Sequence, residues 1–96
     1  MVIELNKFGT TLISRLSGKE AFLALQSLLK DLKENETVEI NFDGVEVFSP
    51  GWGDEVLTPL LNVYGERLFL KKSDNGSVMA TLDILEQQHG KKFKII

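Results

Sequence analysis

Apolar and polar residues alternate along four short segments of the chain, at residues 2–6, 37–42, 67–71 and 92–96. A period of two places the apolar side chains on one face of a β-strand and the polar side chains on the other. The pattern therefore predicts four strands that share one apolar face. The side chains predicted to point inward are Ile3, Leu5, Val38, Ile40, Phe42, Leu68, Leu70, Phe93 and Ile95.

Three stretches between these strands carry apolar residues at helical spacing. The first helix is predicted to begin at Ser17, because the pair Ser17 and Glu20 has the spacing of a capping box, and to end at the polar residues 34–37. The second helix is predicted to end at Gly65 and the third at Gly90. The predicted apolar stripes are Ala21, Phe22, Leu25, Leu28, Leu29 and Leu32; Val56, Leu57, Leu60, Leu61 and Tyr64; and Val78, Leu82 and Leu85 with Ile84 nearby.

Two local interpretations remain open. Residues 7–16 contain a short apolar patch, Leu12-Ile13, which is either a strand fragment or the entry to the first helix. Pro59 lies within the second helical stretch, where a proline costs about 3 kcal/mol. Either the helix kinks at Pro59, or Thr58 caps a new helix that starts there.

The order of these elements, strand and helix in strict alternation, implies right-handed crossovers and a largely parallel sheet. All four strands alternate, whereas strands buried on both faces are continuously apolar. We therefore predict one α/β domain over residues 1–96, with a four-stranded, mostly parallel sheet, a mixed order being left open. About three helices should cover mainly one face, in two layers. The open face is predicted to carry Glu4, Asn6, Glu39, Asn41, Phe69, Lys71, Lys94 and Ile96.

Composition supports a single α/β domain and bears on its subcellular location. A chain of 96 residues with 43% hydrophobic content suits a single domain. No apolar run approaches the ~18 residues of a membrane span, and the amino terminus lacks the basic and apolar regions of a secretory signal. Zero Cys excludes disulfides and thiolate chemistry. We expect a cytoplasmic protein that does not associate with membranes.

The formal net charge of −3 is unevenly distributed. Residues 31–55 contain eight acidic side chains and one basic side chain, Lys33. This acidic centre argues against binding of nucleic acid and favours a basic or neutral protein partner. The alternative is that these acids are simply solvated at helix ends and loops. The acids are Asp31, Glu34, Glu36, Glu39, Asp43, Glu46, Asp54 and Glu55.

The turn between the second strand and the second helix holds the candidate chemistry, since α/β folds place binding surfaces at such turns. Trp52 is either a core residue, which we favour, or an exposed anchor for a partner. Asp54 and Glu55 are candidate metal ligands or an acid–base pair, but acids in the first turn also complement the helix dipole. His89, the sole His, is predicted to cap a helix C-terminus rather than act in catalysis. We predict no catalytic residue, no metal site and no cofactor.

Several motifs resemble the STAS-like domain family of unknown function. They are Leu-Ile-Ser-Arg at 12–15, Gly18, and Asn-Phe-Asp-Gly-Val-Glu-Val-Phe-Ser-Pro-Gly-Trp-Gly-Asp-Glu-Val-Leu at 41–57. The family carries an Asp-Phe-x-Gly-Val strand end, a small-residue turn, an aromatic residue and an Asp-Glu-hydrophobic helix start. The resemblance implies a STAS-like fold, shared by anti-sigma factor antagonists and the cytoplasmic parts of sulfate transporters. It also implies a non-enzymatic bacterial regulatory or signalling component that docks onto partners, often ATP-binding kinase-like proteins.

Phosphorylatable STAS proteins present an Asp-Ser-Ser/Thr-Gly segment at the same turn. Alignment on Gly44-Val45 places Ser49 at the Asp and Pro50 at the acceptor Ser, so the resemblance implies that the acceptor is missing. The acids Asp54 and Glu55 would also repel a phosphate. We predict that Ser49 is a helix N-cap with Pro50 at the first helical position, and not a phosphoacceptor.

Two functional hypotheses follow. The first is a protein-interaction module, monomeric or weakly homodimeric, that docks through residues 49–57, with Ser49, Trp52, Asp54 and Glu55 as candidate contacts. The second is a small ligand-binding domain or enzyme that uses Asp54 and Glu55 at the same turn. An exposed flat surface favours the first hypothesis, whereas a closed cavity behind the acids favours the second.

Overall fold

The computed structural model describes every residue from Met1 to Ile96, and it contains a four-stranded sheet in the order β1-β3-β5-β6. All three pairings in this sheet are parallel. The predicted α/β class and the mostly parallel four-stranded sheet are therefore confirmed. The elements are β1 (Val2–Glu4), β2 (Thr11–Leu12), α1 (Arg15–Leu29), β3 (Val38–Asn41), β4 (Val47–Phe48), α2 (Pro50–Tyr64), β5 (Leu68–Leu70), α3 (Gly76–His89) and β6 (Lys94–Ile95), with 3₁₀ turns at Leu5–Phe8 and Gly65–Arg67.

The two faces of the sheet differ in burial, as the alternation predicts, except at Ile95. This residue was predicted to point inward but is 50% exposed, because β6 is an edge strand with a neighbour on one side only. Ile3, Val38, Ile40, Leu68 and Leu70 are all buried and form part of the core on one face. The three helices cover this face as one layer, in which α2 contacts both α1 and α3. The prediction of helices on one face is confirmed. The physical reason is that the strands present apolar side chains mainly on that face.

We call the other face the open sheet face, and the strand register arranges its side chains in two rows. The first row runs across the four strands as Val2, Glu39, Phe69 and Lys94, and the second runs as Glu4, Asn41, Lys71 and Ile96. Asn6, which we predicted on this face, lies instead in a 3₁₀ turn. Of the eight side chains in the two rows, all except Asn41 are partly or fully exposed.

A second, two-stranded parallel sheet joins β2 to β4. Leu12 lies opposite Phe48, and both side chains are buried. Of the two interpretations of residues 7–16, the strand fragment is therefore correct. Its partner, Val47–Phe48, was not predicted as a strand.

The boundaries of α1 differ from the prediction at both ends. The N-cap is Ser14 and not Ser17: the Ser14 hydroxyl accepts a hydrogen bond from the Ser17 backbone N–H at 3.0 Å. The predicted capping box is wrong. The helix ends at Leu29 rather than at residues 34–37, and Leu28, predicted in the apolar stripe, is 61% exposed.

The second and third helices also refine the prediction. Helix α2 continues through Pro59, and Thr58 Oγ1 donates to Asp54 Oδ1 at 2.8 Å. The alternative of a new helix capped by Thr58 is therefore wrong. In α3 the sequence did not predict that Thr81 is a core residue, because threonine is polar. Thr81 can be buried because its hydroxyl donates a hydrogen bond to the Phe48 carbonyl.

No helix combines the length and the apolar character that crossing a membrane requires.

Candidate functional site

Two similar strand-to-helix connections lie side by side at the candidate site. The parallel pairing of β2 with β4 brings the starts of α1 and α2 together. Each helix is capped by a serine, Ser14 for α1 and Ser49 for α2. The connections are also joined directly, since the Ser49 N–H donates to the Leu12 carbonyl at 2.9 Å and the Ser49 hydroxyl donates to the Ile13 carbonyl.

Ser49 has the geometry of an N-cap. Its backbone is extended, its hydroxyl accepts from the Trp52 N–H at 3.2 Å, and Pro50 is the first helical residue. A proline suits that position because its missing N–H would have no helical partner there. The predicted cap is confirmed, whereas the expected lack of phosphorylation stays a prediction.

We predict that Ser49→Ala lowers the free energy of unfolding by about 0.5 to 2 kcal/mol, as expected for loss of an N-cap. Urea denaturation followed by circular dichroism measures the change. Intact mass after incubation with a cognate kinase should show no added phosphate on Ser49. A phosphorylated species that disappears in Ser49→Ala would contradict the assignment of Ser49 as a cap alone.

Trp52 is a core residue. Its side chain is 0% exposed, and its ring packs against Phe48 and Phe8 at centroid distances of 5.8 and 6.1 Å. The indole Nε1–H donates to the Ser17 hydroxyl at 3.3 Å, so the buried polar group is satisfied. The favoured interpretation of Trp52 is confirmed, and the alternative of an exposed anchor is wrong.

Two glycines allow α1 and α2 to approach closely around this indole. A Cβ on Gly18 would lie 2.9 Å from the Trp52 carbonyl oxygen and 3.1 Å from Trp52 Cα. A Cβ on Gly51 would lie 3.1 Å from Arg15 Cγ. The first turns of the two helices are therefore in contact at the site.

This contact places Arg15 against the two candidate acids. Arg15 Nη1 lies 2.9 Å from Asp54 Oδ2 and 3.4 Å from Glu55 Oε1. The guanidinium side chain is 57% exposed, whereas the carboxylate side chains are 23% and 25% exposed. Hydrogen bonding to Asp54, which outweighs desolvation, raises the pKa of Arg15 above its ordinary value. Asp54 and Glu55 are therefore paired with a cation of the same chain, Arg15, and are not free acids.

Asp54 has two further partners. Its Oδ1 accepts from Thr58 Oγ1 at 2.8 Å and lies 2.9 Å from His89 Nε2 at the end of α3. The prediction that His89 caps its own helix is wrong, because the imidazole instead joins α3 to α2. Burial raises the pKa of Asp54, but hydrogen bonds from Thr58, Arg15 and His89 and the charge of Arg15 together lower it below its ordinary value of 3.8.

The lowered pKa of Asp54 has a consequence for stability. Because the folded protein favours the ionised carboxylate, Asp54 stabilises the fold above the unfolded pKa, and this contribution is lost as pH falls through the lower folded pKa. Asp54→Asn should therefore lower the free energy of unfolding by about 1 kcal/mol at pH 7. This difference between the variant and the wild type should shrink as the pH falls below 3.8, the ordinary pKa of an Asp side chain. Urea unfolding at pH 7, 5 and 3 measures this; a difference independent of pH would contradict it.

The cluster lacks the geometry of a catalytic relay. A Ser/Thr-His-Asp relay uses both ring nitrogens, one for the acid and one for the hydroxyl. Here Asp54 and Thr58 both lie near Nε2 of His89, at 2.9 and 3.4 Å. Neither Asp54 nor Glu55 lines a cavity, and no group of three or more His, Asp or Glu is placed to hold a metal ion.

The acids of residues 31–55 do not form one patch. Arg67 donates to the carbonyls of Lys33, Glu34 and Glu36 and so ties that segment to the start of β5. This segment precedes β3, whereas Asp43 follows it. The single acidic surface suggested by the sequence is therefore divided between the two ends of the strand.

The sequence interpretation did not assign Arg15 or its exposed apolar neighbours to the candidate site, although Arg15 stands in one of the motifs of the family resemblance. Ile13 is 55% exposed and Leu16 is 69% exposed. A signal was available for Arg15, since a cation in the first turn opposes the helix dipole and needs a compensating acid. His89 offered no such signal, because its contact with Asp54 spans 35 residues.

The parallel sheet, the layer of three helices and the serine-capped turn define a STAS-like α/β domain. A family model described as a STAS-like domain of unknown function matches residues 25–78, which is more than half of the chain. The chain belongs to the STAS-like domain family of unknown function. The matched region contains the capped turn, Trp52, Asp54 and Glu55, but neither Arg15 nor His89.

Searches of curated proteins and of solved structures found no match to the chain.

Proposed function

We propose that this domain is a non-enzymatic regulatory module that docks onto another protein through the paired starts of α1 and α2. The docking surface consists of Ile13, Arg15, Leu16, Asp54 and Glu55. It includes the acids of the turn at residues 49–57, but Trp52 supports the surface from within instead of contacting the partner. This is the role that the resemblance to STAS proteins implies.

One observation carries the proposal. Ile13 and Leu16 expose more than half of their surface and stand two residues before and one residue after Arg15, which is held by Asp54 and Glu55. Exposed aliphatic side chains around an ordered arginine form a pattern typical of protein interfaces, where arginine is enriched and charges are paired. The capped helices and the close contact at Gly18 make the surface rigid, which limits the entropy lost on binding.

The second hypothesis, a ligand-binding domain or enzyme, has less support. Small-molecule sites are concave and bury most of the ligand. No cavity is lined by Asp54 or Glu55, and both carboxylates already bind Arg15. Docking of a protein needs neither a cavity nor a free acid.

The charge near the surface favours a basic or neutral partner. Two acids of the docking surface, Asp54 and Glu55, are opposed by one base, Arg15, so the ionised surface carries a net negative charge. An ATP-binding kinase-like protein, as implied by the resemblance, is the candidate partner. Association should slow as salt rises, because the Debye length falls from ~30 Å at 0.01 M to ~8 Å at 0.15 M.

Affinity capture from the source cell with five tagged baits, the wild type and four variants, tests the proposal. The wild type should enrich a protein that is lost with Leu16→Asp and with Glu55→Lys, each of which alters the docking surface. Val63→Asp and Glu34→Lys serve as matched controls, since both residues are exposed and lie outside that surface.

The captured protein is then purified and its affinity for each bait is measured. We expect a loss of about 10-fold or more for the two surface variants, which corresponds to ~1.4 kcal/mol, and little change for the controls. All variants must first show wild-type circular dichroism. Equal binding by all baits would place the interface elsewhere, and a wild-type bait that enriches nothing would contradict docking.

A further inference from the structure

The open sheet face has its charges separated by sign. Its two acidic side chains, Glu4 and Glu39, lie on β1 and β3, and its two basic side chains, Lys71 and Lys94, lie on the half formed by β5 and β6. Strands are about 4.8 Å apart, so the centres of the halves are separated by about 10 Å. This distance is similar to the Debye length at 0.1 M salt, ~10 Å. The two halves therefore act as distinct charges.

Apolar surface accompanies these charges. Phe69 lies partly exposed near the centre of the face, between Glu39 and Lys94 in the first row. Val2 and Ile96, on the two outer strands, are 54% and 55% exposed. The face thus has apolar side chains at its centre and on its outer strands, together with one acidic and one basic half. A partner whose apolar and charged side chains complement these can cover it.

We infer that this face binds a second copy of the chain and forms an isologous homodimer. The charge pattern is self-complementary for a two-fold axis that runs parallel to the strands between the stacked sheets. That axis places β3 over the partner's β5 and β1 over its β6. The acidic half of each copy then faces the basic half of the other, with Phe69 near the axis.

The same charges reject the other way of stacking the two faces. A two-fold axis in the plane of the sheets but perpendicular to the strands places each strand over its own copy. The acidic half of one copy would then lie over the acidic half of the other, and the basic half over the basic half, and like charges across an interface oppose association. The pattern therefore selects both the partner and the orientation.

Glu39 and Lys71 are the residues with which to test this arrangement. Glu4 already accepts two hydrogen bonds from Asn41 at 3.1 Å, and Lys94 is paired with Glu66. The side chains of Glu39 and Lys71 make no hydrogen bond or ion pair within the chain. Reversal of either charge therefore removes no hydrogen bond or ion pair and should leave the fold intact.

Sedimentation equilibrium of the full chain measures the monomer–dimer dissociation constant. Glu39→Lys and Lys71→Glu should each raise it roughly 10- to 100-fold, since two symmetry-related contacts become repulsive. The double variant Glu39→Lys/Lys71→Glu should return it to near the wild-type value. An equimolar mixture of the two single variants should form a heterodimer, because each of its contacts again joins opposite charges.

The control is Glu55→Lys on the docking surface, which should leave self-association unchanged whether or not the proposed docking function is correct. Dimerisation should also weaken in 1 M salt, where the Debye length is ~3 Å. A wild type that stays monomeric at millimolar concentration would overturn the inference. A dimer that is indifferent to both single reversals, or a double variant that fails to recover, would overturn it as well.

Discussion

Replacement of Trp52 by alanine should lower the free energy of unfolding by about 3 to 5 kcal/mol, the range found for deletion of large aromatic side chains from cores. The indole is fully buried and lies between Phe48 and Phe8. It also donates to the Ser17 hydroxyl. Because domains of this size have stabilities of about 5 to 15 kcal/mol, the variant should be close to unfolding at 37 °C.

Urea denaturation monitored by circular dichroism measures this loss. Trp52→Phe separates the contributions, since it keeps an aromatic ring but removes the Nε1–H donor, and it should cost less than Trp52→Ala. Leu23→Ala is the control, because Leu23 is 63% exposed and such surface substitutions change stability by about 0.5 kcal/mol or less. A loss below 1 kcal/mol in Trp52→Ala would show that the indole does not fill the core.

The strands and the layering could be predicted because each depends on local alternation. The inward residues Ile3, Val38, Ile40, Leu68 and Leu70 are buried as predicted. The period of two reports directly which face of a strand meets the core. The prediction of helices on one face needed only the further observation that the opposite positions are largely polar.

The start of α1 could not be predicted in the same way. Ser14 and Ser17 both precede apolar helical residues, and local propensity does not distinguish them. The choice depends on β2, which ends at Leu12 because it pairs with β4 about 36 residues away. Once the strand ends there, Ser14 is the residue positioned to cap the helix. The Ser17 hydroxyl instead accepts the hydrogen bond from the Trp52 indole N–H.

The site was predictable only in its local part. The cap at Ser49 follows from a Ser-Pro pair at the start of a helix, and the burial of Trp52 was favoured over exposure because a large aromatic side chain usually joins the core. The convergence of Arg15 and His89 on Asp54 joins residues 39 and 35 positions apart. Such contacts depend on how three helices pack, which no short pattern contains.

Gly18 is the residue on which the packing of α1 against α2 depends most directly. Gly18→Ala should lower the free energy of unfolding by about 1 to 3 kcal/mol, the usual cost of overpacking. The added Cβ would lie 2.9 Å from the Trp52 carbonyl oxygen, and backbone atoms of a helix cannot rotate away. The loss is expected although alanine in a helix interior is favoured over glycine by ~1 kcal/mol.

Gly76→Ala is the matched control for Gly18→Ala, since Gly76 lies in the first turn of α3 and an added Cβ there meets no atom within 4 Å. Its stability should stay the same or rise by up to about 1 kcal/mol, because alanine restricts the unfolded chain. The same substitution should thus have opposite signs at the two helical sites. If Gly18→Ala also stabilised the protein in urea denaturation, α1 and α2 would have to lie further apart than the structure shows, and Arg15 would lose its position against Asp54 and Glu55.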